Sequence, residues 1–281
     1  MSRAEQPFVW PPAPTPEPPG AAPPPPSIAP PALDAPCRTS RLVEALRAAE
    51  RVWLAPTALP LARRMQEECW SPDPFEAYCG RCGGGIGPHE ESEFGCAACR
   101  DLKVPWDRFV RLGEFRDPLR QWVHEVKFTA WRRLGEDLGR LLGERLLEAG
   151  LEKGRAVVVP MPTTIWRRTA RGIDHSMVLA RGVAAAVDGR VVRALCRSHR
   201  PSQRTLSPAE RSRNVSGAFR RSGRTVFEGG PVALVDDVRT SGATLSAAAL
   251  ALKGRQKAGF ALWAAVVGVA SEPDRRGAGG S

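Results

Sequence analysis

Val232-Ala-Leu-Val-Asp236-Asp237-Val-Arg239-Thr240-Ser241-Gly242-Ala243-Thr244 is the stretch that decides the reading of this chain. Its first four residues make a buried strand. Two carboxylates stand at the strand's C-terminal end, a short hydroxyl- and glycine-bearing loop follows, and residues 244–253 read as a helix. Open α/β sheets bind ligands beyond the carboxyl ends of their strands. Glycine lets backbone N–H groups approach an anion, and a helix N-terminus adds donors and a positive dipole. Arg239, Thr240, Ser241, Gly242, Ala243 and Thr244 therefore read as a phosphate loop. Asp236 and Asp237 suit ribose hydroxyls, or a Mg²⁺ held through waters. A ribose 5-phosphate with a magnesium-bound pyrophosphate satisfies both halves.

On either side of that stretch, strands alternate with helices. Strands are expected at 156–161, 191–195, 231–235 and 260–269, with helices at 173–187 and 244–253. That order implies a parallel sheet with helices on its faces, an α/β domain. Upstream, 115–147 is helical in pattern, with Leu119, Trp122, Val123 and Val126 and then Leu134, Leu138, Leu141 and Leu142 on recurrent faces. Residues 40–70 also have helical spacing, broken at Pro56 and Pro60. Residues 197–214 are polar and lack periodicity; a loop of that length is usually functional or disordered.

Cys79-Gly-Arg-Cys82 and Cys96-Ala-Ala-Cys99 are two pairs separated by 13 residues. Cys79, Cys82, Cys96 and Cys99 thus fit a tetrahedral Zn²⁺ site, closed and structural. Two disulfides would fit a secreted chain better, and a redox pair would not need a twin. The segment has few large apolar residues, so metal is expected to fold it. Affinity for a ligand at the phosphate loop is expected to survive its loss within a few-fold.

Of the 27 prolines, 14 fall in residues 1–36, which read as a disordered tail, as do 271–281. The 281 residues carry 41 basic and 30 acidic side chains, a net charge of +11. Residues 163–228 alone hold fourteen arginines, no lysine and four acids, a density that attracts phosphates. An arginine-rich coding bias is the bland alternative. The longest nearly apolar run, 258–270, is too short for a spanning helix, and no secretory leader pattern opens the chain. A soluble, cytoplasmic protein is expected, without membrane insertion.

The acid-pair stretch resembles the phosphoribosyl-pyrophosphate (PRPP) motif of type I phosphoribosyltransferases. Receiver domains also end a strand on acids, but lack the hydroxyl–Gly–x–Thr loop running into a helix. Three more segments resemble the ComF family. One is Val158-Val-Pro160-Met-Pro162 followed by Arg167, Arg168, Arg171, Gly172 and Asp174. Another runs from Arg200 through Gln203, Leu206, Glu210, Arg211, Asn214 and Gly217 to Phe219. The third is Val126-Lys127-Phe128, and the paired cysteines match as well. The likeness spans about residues 75–270. Ile173 and His175 stand where the family has Phe and Gln, and Arg239 sits inside the phosphate motif.

The resemblance implies a type I phosphoribosyltransferase fold (α/β) and a glycosyltransferase of pentosyl groups, with Mg²⁺ as cofactor and structural Zn²⁺. It implies Asp236 and Asp237 as the catalytic acids. Arg167, Arg168 and Arg171 fall on the pyrophosphate loop, and Lys127, Arg200 and Arg211 are further phosphate or hood contacts. Any one of these cations also reads as an ordinary surface charge. Asp174 and His175 are the candidate bases, although Asp174 reads better as a helix cap. The family also implies handling of single-stranded DNA in natural transformation with competence-machinery proteins, and Trp166 beside Arg167 and Arg168 suits base stacking or plain packing. On this alternative the fold serves DNA without turnover. The expected layout is a tail (1–36), a helical segment (37–72), a zinc module (73–105), the α/β domain (106–270) and a tail (271–281). The acceptor and the oligomeric state are not written in the sequence.

Overall fold

The computed structural model describes residues 59–87, 90, 95–128, 132–163, 174–197, 217–222, 227, 229–254 and 259–270. The chain divides into Met1–Trp53 and Leu54–Ser281. The expected proline-rich tail, most of the 40–70 helix and the 271–281 tail lie outside the described residues. So do Trp166, Arg167, Arg168, Arg171, Arg200 and Arg211.

Along the second unit come α1 (Leu61–Glu67), β1 (Arg108–Glu114), α2 (Leu119–Phe128), α3 (Arg132–Glu148), β2 (Val157–Pro160), α4 (His175–Val187) and β3 (Arg190–Val191). Then follow β4 (Leu195–Arg197), β5 (Phe219–Arg221), β6 (Val232–Arg239), α5 (Ala243–Lys253) and β7 (Leu262–Val269). Five strands pair in parallel in the order β1-β7-β6-β2-β3, and β4 and β5 form a separate antiparallel ribbon. This is the expected α/β architecture, a type I phosphoribosyltransferase fold with the acid-pair strand inside the sheet.

Side chains alternate across a strand, so each strand feeds two cores. Ala233 and Val235 of β6 join Leu138, Leu142, Leu179 and Val183 under α3 and α4. Val232 and Leu234 join Leu245, Leu252 and Phe219 under α5 and the ribbon. All eight residues of β7 are buried, which fits a strand covered on both faces. The helices on the first face approach closely because glycines line the contact. A methyl group built on Gly139 would fall 2.2 Å from Leu179 O, and one on Gly182 would fall 2.1 Å from Glu136 O.

Four expectations change. No element was expected at Arg108–Glu114, because two arginines and a glycine interrupt its alternation. Arg111 is nevertheless buried, donating to Asp73 Oδ2 (2.6 Å) and Gly83 O (2.8 Å) and lying over the Tyr78 ring. The 115–147 helix is two helices, α2 and α3. The 191–195 strand is likewise two pieces, β3 ending at Val191 and β4 opening at Leu195 in a different sheet. Pro60, read as a helix breaker, is the residue on which α1 starts, as suits a residue lacking an N–H.

Candidate functional site

Beyond the carboxyl ends of β2 and β6 opens a cavity of about 340 Å³. Asp236, Asp237, Arg239, Thr240, Gly242 and Thr244 line one side of it, and Lys127 from α2 and His175 from α4 close another. Ser241 is exposed beside it, and Ala243 is the first residue of α5. Residues 48 to 110 positions apart in sequence thus meet because α2 and β6 end, and α4 begins, at the same sheet edge.

The alternation that splits the core also splits the acid pair. Asp237 follows Ala233 and Val235 toward the helices of the first face. There its Oδ2 lies 2.9 Å from Lys127 Nζ and 3.0 Å from His175 Nε2. Asp236 follows Val232 and Leu234 toward the α5 side. Its Oδ1 accepts the Asp237 N–H at 2.9 Å. Burial first, and the adjacent Asp237 charge second, push the Asp236 carboxyl up to about 8. Burial acts the same way on Asp237, but the His175 hydrogen bond and Lys127 outweigh it and hold that carboxyl down to about 2. One acid is thus matched by Lys127 and His175, and the other is left to the cavity.

The loop after β6 leaves donors free in the way an anion needs. Gly242 is the N-cap of α5 at φ 77° and offers no side-chain cap. The first amides of the helix therefore lack a capping acceptor. A side chain at Gly242 would be strained, and its Cβ would fall 3.0 Å from Arg239 Nε. On the other side of the cavity, Asp174 accepts from Met177 N at 3.4 Å and caps α4, the preferred reading of that residue. His175 is committed to Asp237. Arg197, at the end of β4, also lines the cavity. The sequence reading passed over it, although it opens the arginine-rich polar stretch.

The four cysteines come together in a second place. The Sγ separations Cys79–Cys99, Cys82–Cys96 and Cys96–Cys99 are 3.7, 3.6 and 3.7 Å. All four are buried, with Sγ atoms within 4.8 Å of one another. A tetrahedron of thiolates at the usual zinc–sulfur distance has edges of about 3.8 Å, so the donor set fits a tetrahedral metal. A hydrogen bond from Cys82 holds the Cys79 thiol down to about 4, while burial pushes Cys99 up. The group could hold a structural metal such as zinc.

An α/β protein of phosphoribosyltransferase fold with a four-cysteine cluster is what the sheet and these sites define. No protein-family model matches the chain. DNA utilization protein YhgH of Salmonella typhimurium is 30% identical over 66% of this chain and 82% of its own. Competence protein F of Haemophilus influenzae is 28% identical over 60% of this chain and 75% of its own. The chain belongs to the ComF family. Among solved structures, the allosteric regulatory enzyme of purine biosynthesis overlaps 47% of this chain and 25% of that chain, at 19% identity and a TM-score of 0.28. The fold is defined by the parallel strand order β1-β7-β6-β2-β3. No helix among the described residues is long and apolar enough to cross a membrane.

Proposed function

We propose that this chain binds PRPP with Mg²⁺ in the cavity beyond β6 and transfers its phosphoribosyl group to an acceptor. The observation that carries the reading is the conjunction at one sheet edge: an acid pair, a hydroxyl–glycine loop and a helix N-terminus without a side-chain cap. The ribose 5-phosphate would sit on the Thr240–Thr244 amides and hydroxyls, with ribose hydroxyls on the acids. Asp236 has no ion-pair partner at contact distance among the described residues, which suits a carboxylate that meets a cation with its ligand. Mg²⁺, when bound, would neutralise the pyrophosphate as it leaves. As the C1′–O bond breaks, positive charge develops on the ring, and the acids beside it would stabilise that charge. Lys127 and Arg197, which line the same cavity, would face the leaving group. Zinc is the metal this reading gives the four cysteines.

Isothermal calorimetry with PRPP and Mg²⁺ tests the binding. The wild type is expected to bind, and Asp236→Ala/Asp237→Ala is expected to lose at least tenfold in affinity. No binding, or equal binding by both proteins, overturns the proposal. Turnover is read separately as pyrophosphate release, since a fold does not guarantee its chemistry.

A second reading is favoured by the relatives' names, which speak of competence and DNA utilization, and by the arginines of 163–228. On it the chain handles single-stranded DNA, with or without turnover of PRPP.

A further inference from the structure

The cysteine cluster and the phosphate loop, though distinct sites, are joined through one side chain. Phe109 of β1 is 1% exposed and belongs to the core under α5. On one side its ring meets Gly83, the residue after Cys82. A methyl group built on Gly83 would fall 2.1 Å from ring atom Cε1. The backbone of the cysteine knuckle therefore lies directly on the ring, and the φ of 73° at Gly83 reserves that place for glycine. Toward the loop, the Arg239 guanidinium carbon lies 5.9 Å from the ring centroid, within cation–π range. Arg239 in turn packs against Gly242, where an added Cβ would fall 3.0 Å from its Nε.

The other partners of Phe109 also come from the knuckle. Its N–H donates to Gly80 O at 2.8 Å. Its ring lies 5.7 Å from that of Trp106, whose Nε1 donates to Arg81 O at 2.7 Å. The residue that supports the phosphate loop from below is therefore itself positioned by Gly80, Arg81 and Gly83, all between or beside Cys79 and Cys82.

We propose that Phe109 and Arg239 are positioning residues that couple the cysteine knuckle to the phosphate loop. The metal-held knuckle fixes the Phe109 ring, the ring fixes Arg239, and Arg239 holds Gly242 and the α5 N-terminus in their anion-binding shape. This rests on the reading of the loop as a PRPP site, and it replaces the expectation of a cysteine module separable from ligand binding. Packed chains of this kind transmit a displacement because neither neighbour has free space to absorb it. The coupling is reciprocal: PRPP at the loop tightens retention of the metal by the same factor.

The experiment uses the full zinc-loaded chain and three variants: Phe109→Leu, Arg239→Gln and the two combined. Zinc per chain, circular dichroism, hydrogen exchange across 239–245 and PRPP–Mg²⁺ affinity are measured on each. Phe109→Leu is expected to keep one zinc and its fold, to speed exchange across the loop, and to weaken PRPP by about tenfold, within the usual range of coupling between sites. In the Arg239→Gln background it is expected to add less than twofold, the non-additivity of residues acting in series. A chelator competition on the wild type is expected to show PRPP opposing zinc loss.

Unchanged loop exchange in a zinc-loaded Phe109→Leu overturns the coupling, as does full additivity of the two substitutions. If the wild type does not bind PRPP, the ligand reading fails on its own, and the exchange data alone decide the coupling. Cys96→Ser/Cys99→Ser adds a direct arm. Loss of zinc with the fold kept and the loop's exchange unaltered also overturns it.

Discussion

Neighbouring acids on a strand face opposite ways, and that gives Asp236 and Asp237 different energetic roles. Asp237 is held by Lys127 and His175 (2.9 and 3.0 Å), whereas Asp236 is half-buried with its carboxyl pushed up to about 8 from 3.8. The folded protein therefore holds a proton on Asp236 that the unfolded chain has released above about pH 4. By linkage, the stabilising contribution of that proton is complete below the unfolded value and declines as pH rises to about 8. Asp237, held down to about 2, acts in the opposite sense, adding stability as pH rises through its own window below about 4. Asp236→Asn is accordingly expected to raise the melting temperature of the ligand-free protein at pH 8, with less gain at pH 5. It should lose PRPP affinity at both. Thermal melts at the two pH values check this, and a variant less stable than wild type at pH 8 contradicts it. The acids, the loop and Lys127 were legible in the sequence, because local pattern and resemblance fix them. The division of labour was not, because it depends on which helices cover each face. Arg197 was missed because it is one arginine among fourteen.

At the scale of elements, the helix pair behind the sheet depends on residues that the apolar pattern ignores. Leucines at 134, 138 and 142 announced α3, but Gly135, Gly139 and Gly143 beside them set how near α4 comes. Replacing Gly by Ala in a helix ordinarily gains about 1 kcal/mol of propensity. At Gly182 the new methyl would meet the Glu136 carbonyl at 2.1 Å, backbone that cannot move aside. Gly182→Ala is therefore expected to destabilise by about 1–3 kcal/mol, the usual cost of overpacking. A lower urea midpoint with unchanged slope is the expected result. A higher midpoint would mean that the helices lie further apart. The same dependence on partners explains the elements misjudged from sequence. β1 escaped notice because its Arg111 is neutralised by Asp73, 38 residues upstream, a pairing no local window contains. β4 was merged with β3 because three residues between them, Val192, Arg193 and Ala194, read as strand but turn the chain into another sheet.

For the whole molecule, charge and connectivity matter more than any single contact. A net +11 with its excess in 163–228 makes a defined demand on the DNA reading: affinity must fall steeply with salt. A single-stranded oligonucleotide is expected to shift at ~50 mM salt and to be released progressively as salt rises. PRPP should be bound across the same series with far smaller change. No shift at the lowest salt removes the DNA reading and leaves the small-ligand one standing. Connectivity has a different consequence. β1 is an outer strand of the sheet, and among the described residues its strand partner is β7. The two are held together across 155 residues, as in the Leu262 N–H to Asp107 bond. On a ribosome the chain emerges N-terminus first, so β1 waits for its inner neighbour until β7, about 150 residues later, has been made. Its other neighbours are ready sooner. Asp73 N–H donates to Leu112 O, and Gly80 O accepts from Phe109 N–H, and both belong to segments synthesised before β1. A nascent strand left open on both sides is a template for pairing with another chain. The cysteine knuckle ends at residue 99, before β1 begins, so a metal bound there would let it cover one side of β1 during that interval.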